Sequence, residues 1–170
     1  MSPQEFVTKL YPFAVNDKGF DPFIILTQAA LESGWGKYAP GNMFFGVKDT
    51  DGVNGNEQLV RTTEVSKNAN LTAKQAGLET IERVEPSTIA GQKYFVYHGL
   101  GYFRKYETPK ESFDDHIKFF LSNGRYARAC TMRNNPVAFF QEIANAGYAT
   151  APNYAQSLIS TYNSIKQYKP

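Results

Sequence analysis

Two polar side chains four residues apart, Gln28 and Glu32, stand in a largely apolar stretch, DPFIILTQAALESGWGK, that runs from Asp21 to Lys37 and has Thr27 as a further polar residue within the helical run. On a helix that spacing places both on one face. Glu32 falls just before Gly34 and Trp35, at the end of the predicted helix. The helix dipole is negative there, and apolar surroundings also disfavour an ionised carboxyl, so the pKa of Glu32 is pushed upward. A general acid working near neutral pH needs that shift. The plainer alternative is a surface glutamate at a helix end.

Other chemistries have less to stand on. His98, His116 and the lone Cys130 have no zinc-ligand spacing, and no metal or cofactor is expected. Neither histidine sits in a context suited to serving as base to a Ser or Cys nucleophile. No glycine-rich phosphate loop is present. Carboxylate chemistry remains, with Glu64 and Glu57 as competing second acids on a predicted strand-and-turn segment.

Several elements must position these groups. Asp21 suits an N-cap and Pro22 the first helical position, while Gly34 can take the left-handed conformation that ends a helix. The helix between them is apolar almost all round, which predicts that it is covered on most sides. Upstream, Ser2-Pro3-Gln4-Glu5 is a capping-box pattern that opens a helix with Phe6, Leu10 and Phe13 inward, bent or ended by Pro12. Phe44 and Phe45 follow in a loop, and core filling explains at least one of them. Asp51-Gly52 and Asn54-Gly55 are hairpin signals, and Leu59–Val65 reads as a strand. Thr72 to Val84 has weak helical character that Pro86-Ser87 stops. Lys93–His98 alternates like a strand, Gly99 and Gly101 interrupt it, and Tyr102–Tyr106 extends again. Thr108-Pro109-Lys110-Glu111 is a second capping box, starting a helix with Phe113, Ile117, Phe120 and Leu121 on one face. His116, among them, reads as packed or half-exposed rather than catalytic. Asn135-Pro136 opens a helix with Val137, Phe140 and Ile143 inward, and Tyr154–Tyr168 forms the last one.

Composition sets the limits. The 170 residues fit one domain with a single core. Thirteen Phe belong mainly in that core, whereas eleven Tyr suit a sugar-binding groove. A net charge of +2 is too balanced to argue for nucleic acid, and no RNA- or DNA-binding motif appears. One cysteine excludes an internal disulfide. The N-terminal MSPQEFVTKLYPFAV lacks the basic and apolar regions of a secretory signal, and no stretch is long enough to cross a bilayer. Delivery by a non-classical route, or as a domain of a larger protein, is therefore expected.

Three stretches resemble one family. Ala29-Ala-Leu-Glu-Ser-Gly-Trp-Gly-Lys37 is similar to the catalytic helix of the bacterial glucosaminidases of glycoside hydrolase family 73. Phe45-Gly46-Val47-Lys48 resembles the family's Phe-Gly-(Ile or Val)-Lys turn. Asn145-Ala-Gly-Tyr-Ala-Thr-Ala-Pro-Asn-Tyr-Ala155 resembles its closing segment. The three fall in the family's order and span nearly the whole chain. Met43 departs from the pattern where a second Asn is usual.

The resemblance implies an α+β, lysozyme-like fold, with a mostly helical lobe and a small antiparallel β-lobe. The chain would form a single domain over 1–170, with the β-lobe at about 49–106 and an insertion at about 66–92. It implies cleavage of the β-1,4 bond after N-acetylglucosamine in peptidoglycan. Glu32 would be the general acid, Glu64 the second carboxylate, and Tyr154 a groove tyrosine that positions the acetamido group or the water. Gln28, Phe45, Tyr106, Tyr148 and Asn153 are the substrate-binding candidates, and Trp35 is a wedge for the helix end. The expected partners are glycan strands, with no membrane or nucleic acid, and the chain is expected to be a monomer. Three settings fit such delivery: a prophage lysin, a domain cut from an exported protein, and an injected effector with an immunity protein that plugs its groove. Alternatives are a muramidase or lytic transglycosylase of the same fold class, a wall-binding module without catalysis, and a purely structural role.

Overall fold

The computed structural model describes residues 1–149 and 151–170. These divide into two compact units, one of Met1–Phe45 with Tyr106–Pro170, the other of Gly46–Lys105. Among the described residues, no helix is long and apolar enough to cross a membrane.

The first unit is helical. It contains α1 (Pro3–Ala14), α2 (Pro22–Ser33), α3 (Pro109–Ser122), the short α4 (Ala127–Cys130), α5 (Pro136–Asn145) and α6 (Tyr154–Ile165). Four of these helices start in the same way, with a polar cap followed by proline. Ser2, Asp21, Thr108 and Asn135 each accept a hydrogen bond from a backbone N–H of the first turn, and the proline contributes no N–H that would need a partner. Pro12 does not end α1. It lies in the last turn, two residues before the helix stops at Ala14.

The apolar sequence of α2 explains its central place. Phe23 to Ala30 are all buried, with Ile24, Ile25 and Leu26 fully inaccessible, and the helix packs against α1, α3, α5 and α6. Each fully buried aliphatic side chain contributes about 1.5–3 kcal/mol, so α2 is fixed from several sides. Aromatic edges fill the remaining space: Phe20 and Phe120 on Phe139, and Phe23 on Tyr162. Two inward assignments are corrected. In α5 Val137 is only half-buried, and Phe139 joins Phe140 and Ile143 in the core, while in α3 Leu121 is exposed. The α3 stripe runs through Ser112, Phe113, His116, Ile117 and Phe120 instead.

The second unit is an antiparallel sheet of β1 (Glu57–Ser66), β2 (Thr80–Ile89) and β3 (Gln92–Arg104), in the order β1-β3-β2. The weak helical pattern at 72–84 gives way to turns and then to β2, which joins β3 by a hairpin through Ala90 and Gly91. Pro86 and Ser87 lie inside that strand. As β2 is an edge strand, a proline there is tolerated.

Gly99 and Gly101 do not interrupt β3. At Gly99 a Cβ would stand 1.9 Å from the Thr80 carbonyl oxygen, next to the bulge between Ile81 and Arg83, so the close backbone approach requires glycine. Gly99→Ala is therefore expected to destabilise this unit by about 2–3 kcal/mol. Amide exchange should show lost protection across β2 and β3, with the helical unit unaffected.

Candidate active site

Glu32 is the second-last residue of α2, and the chain turns sharply after it. Gly34, Trp35 and Gly36 take successive left-handed conformations, with φ of 57°, 61° and 74°. Glycine adopts these freely, but a tryptophan there carries strain. Trp35 is held by an edge contact with Phe6 at 5.7 Å, and the Ser33 hydroxyl accepts from the Gly36 N–H at 2.9 Å. Trp35 thus acts as the expected wedge for the helix end, and the turn fixes the position of Glu32.

The closing motif supplies the partners. The Tyr148 hydroxyl donates to Glu32 Oε1 at 3.0 Å, and the Tyr154 hydroxyl donates to the same oxygen at 3.3 Å. The two rings stack, with centroids 5.5 Å apart and 18° between planes. Tyr148 also lies on Phe120, centroids 5.6 Å apart. Tyr148 starts from the turn after α5, and Tyr154 is the first residue of α6, so a helix end and a helix start aim both hydroxyls at one carboxyl. Thr150 of the motif lies outside the described residues.

The electrostatics follow from this crowding. Glu32 keeps contact with solvent as a residue, but its carboxyl has lost enough hydration to raise its pKa to about 7, against the opposing pull of the two tyrosine hydroxyls. Burial, and then the Glu32 charge, push the pKa of both tyrosines up, so they stay neutral and remain donors. A carboxyl that is half protonated near neutral pH, held by two donors on one oxygen, is suited to give a proton from the other.

The remaining sequence candidates separate. Gln28 is completely buried; it faces Tyr154 and His116 and cannot meet a substrate. Phe45 is 2% exposed and stacks on His116, which corrects its assignment to substrate binding. Tyr106 is half-buried, with its hydroxyl donating to Asp115 at 2.7 Å and its N–H to Gly41. Asn153 is exposed at the start of α6, without a side-chain capping bond.

Glu64 lies in the sheet unit, where Lys48 pairs with it at 2.6 Å. The same ammonium donates to the Gly77 carbonyl at 3.0 Å and sits 4.4 Å from the Phe103 ring centroid. Tyr97, buried and opposite Glu64 in β3, donates to Asn68 O and accepts from the Leu71 N–H. Lys48 and Tyr97 therefore hold both ends of the 66–79 segment to the sheet. Glu57 accepts from the Gly55 N–H within its own turn. Among the described residues, no three His, Cys, Asp or Glu side chains converge as a metal site requires.

Sequence reasoning missed the contacts of His116. The signal was present: a polar residue at the centre of an apolar helical stripe must find a buried partner.

Comparison with known proteins agrees with the motifs. Residues 9–167 match the glucosaminidase family, described as mannosyl-glycoprotein endo-beta-N-acetylglucosaminidase. The peptidoglycan hydrolase FlgJ of Vibrio cholerae is 32% identical over 177 residues, covering 98% of this chain and 45% of that protein. The chain thus spans about half the length of the curated relatives it matches. The glycoside hydrolase domain of Salmonella typhimurium FlgJ superposes with a TM-score of 0.66 at 28% identity, covering 98% of this chain and 90% of that one. A peptidoglycan hydrolase mutant from Sphingomonas sp. A1 reaches 0.69 at 24% identity over 97% of each chain, a likeness that shows the shared fold. The lysozyme-like α+β class expected from the motifs holds.

Proposed function

The chain belongs to the glucosaminidase family, and from that premise we propose that it hydrolyses the β-1,4 bond following N-acetylglucosamine in peptidoglycan, with Glu32 as general acid. One observation carries the reading: the Tyr148 and Tyr154 hydroxyls converge on a Glu32 carboxyl whose pKa is raised to about 7. The leaving glycosidic oxygen must be protonated as its bond to the sugar breaks, and a carboxyl of that pKa is in part protonated at neutral pH. The peptidoglycan hydrolase names of the FlgJ relatives support the substrate class. The proposed place of action is the bacterial cell wall.

Glu64 is the proposed second carboxylate, supported by the strand motif that carries it. A 2-acetamido substrate can supply its own amide oxygen as nucleophile, which leaves the protein to orient it. Glu64→Gln is therefore expected to cost about tenfold in a turbidity assay on purified cell walls, less than the loss of the acid. A loss equal to that of Glu32→Gln would make Glu64 the base or nucleophile. Azide rescue of Glu64→Ala, yielding a glycosyl azide, would also rule out attack by the acetamido group.

A further inference from the structure

Helix α3 buries an ionisable side chain that this chemistry leaves without a role. His116 is 3% exposed, and its ring lies flat on Phe45 with centroids 3.6 Å apart and 6° between planes. Its Nε2 is 3.2 Å from Gln28 Oε1. The Gln28 amide nitrogen is 3.5 Å from the Tyr154 hydroxyl, which is 3.3 Å from Glu32 Oε1. Four side chains on three helices thus form one continuous run, His116–Gln28–Tyr154–Glu32.

The direction of each bond follows from what each group can donate. With the Gln28 oxygen towards His116, that carbonyl can only accept, so this arrangement requires the proton on His116 Nε2. Burial keeps the ring neutral by lowering its pKa to about 3, which leaves Nδ1 unprotonated. With its oxygen engaged by His116, Gln28 presents its amide nitrogen to Tyr154 and donates to the hydroxyl oxygen. The Tyr154 proton then points to Glu32. Turning the amide over would reverse the whole run. Gln28 would donate to an unprotonated His116 Nε2, Tyr154 would donate to the Gln28 carbonyl, and Glu32 would have to give its own proton to Tyr154. The His116 tautomer selects between these two arrangements.

We propose that His116 is a positioning residue for the reaction: through Gln28 it fixes the Tyr154 hydroxyl as a donor to Glu32 Oε1, so that Glu32 carries its acid proton on Oε2. Tyr148 donates to the same Oε1 and reinforces the choice. The inference rests on the reading of Glu32 as general acid. A donor to the carboxylate stabilises its charged form and opposes the effect of burial. When His116 no longer directs Tyr154, the Glu32 pKa rises further. Activity that needs the protonated acid then persists to higher pH.

His116→Phe keeps a flat ring against Phe45 and removes the donor, and Gln28→Met keeps the volume and removes the amide. In peptidoglycan digestion across a pH series, each variant is expected to lose about tenfold in kcat with KM nearly unchanged. The alkaline limb is expected to move up by about half a pH unit. His116→Gln, which again offers a donor to Gln28, should restore the limb. Adding His116→Phe to Tyr154→Phe should change nothing further, because the run is already cut.

A role confined to packing would lower the melting temperature and leave the limb in place. An unmoved limb in the folded variants, or an undiminished His116→Phe effect on top of Tyr154→Phe, overturns the proposal. Nitrogen shifts of His116 in the unmodified protein should report protonated Nε2, and protonated Nδ1 would overturn it without any variant. Carbon-detected titration of Glu32 in His116→Phe reads the same pKa rise without turnover. The relay is therefore judged separately from the acid assignment, which full activity of Glu32→Gln would sink on its own.

Discussion

Glu32→Gln is expected to fold normally and to lose about 10²–10⁴-fold of its activity on cell walls. The amide matches the carboxyl in shape, and its carbonyl oxygen can still accept from Tyr148 and Tyr154, which donate to Glu32 Oε1 at 3.0 and 3.3 Å. The left-handed turn at Gly34, Trp35 and Gly36 and the packing of α2 do not involve the carboxyl, so the helix end stays in place. What disappears is a transferable proton, since an amide cannot give one to a leaving oxygen at neutral pH. An unchanged circular dichroism spectrum together with near-normal lysis would remove Glu32 from the chemistry. In the unmodified enzyme, activity should fall as pH rises through about 7, where Glu32 loses its proton.

The same substitution is expected to stabilise the protein in alkaline solution. The folded state binds the Glu32 proton more tightly than the unfolded chain, with its pKa raised from 4.5 to about 7. The resulting stability is fully present below the unfolded value and is lost as pH rises through about 7. The full shift would correspond to about 3 kcal/mol, but Glu32 keeps contact with solvent, and screening reduces the expected loss to about 1–2 kcal/mol. Glu32→Gln has no charge to bury and escapes this loss. Urea denaturation at pH 5 and pH 8 should therefore show the unmodified protein weakening relative to the variant by about that amount. Equal pH dependence in the two proteins would mean that the folded state does not strain the Glu32 charge. An active-site group that weakens the fold in its working range is a common compromise between stability and function.

The helical scaffold was legible because its signals are local. Polar caps followed by proline at Ser2, Asp21, Thr108 and Asn135 mark helix starts, and an apolar run such as Phe23–Ala30 has few alternatives to burial. The sheet was harder to read because its signals are not local. Thr80–Ile89 has no clean alternation and contains Pro86, and it becomes a strand only because β3 offers a partner edge. Gly99 looked like an interruption, since its role is to admit the Thr80 carbonyl, a group nineteen positions earlier.

The candidate site shows the same division. Glu32 was visible as a charge at the wrong end of a helix, and the closing motif pointed to Tyr148 and Tyr154. The motifs that hold Phe45 and Gln28 link both to the substrate, yet both are buried, Phe45 against His116 and Gln28 between His116 and Tyr154. The apolar stripe marks His116 as packed or half-exposed, and it is packed, but spacing along one helix says nothing of a glutamine 88 residues away.

Mass spectrometry of the fragments released from purified peptidoglycan tests the central claim most directly, because the sugar left at the reducing end records which bond was cut. N-acetylglucosamine is expected at every new reducing end, formed by the unmodified protein and absent with Glu32→Gln. N-acetylmuramic acid there, or its anhydro form, would contradict the claim and place this chain among muramidases or lytic transglycosylases.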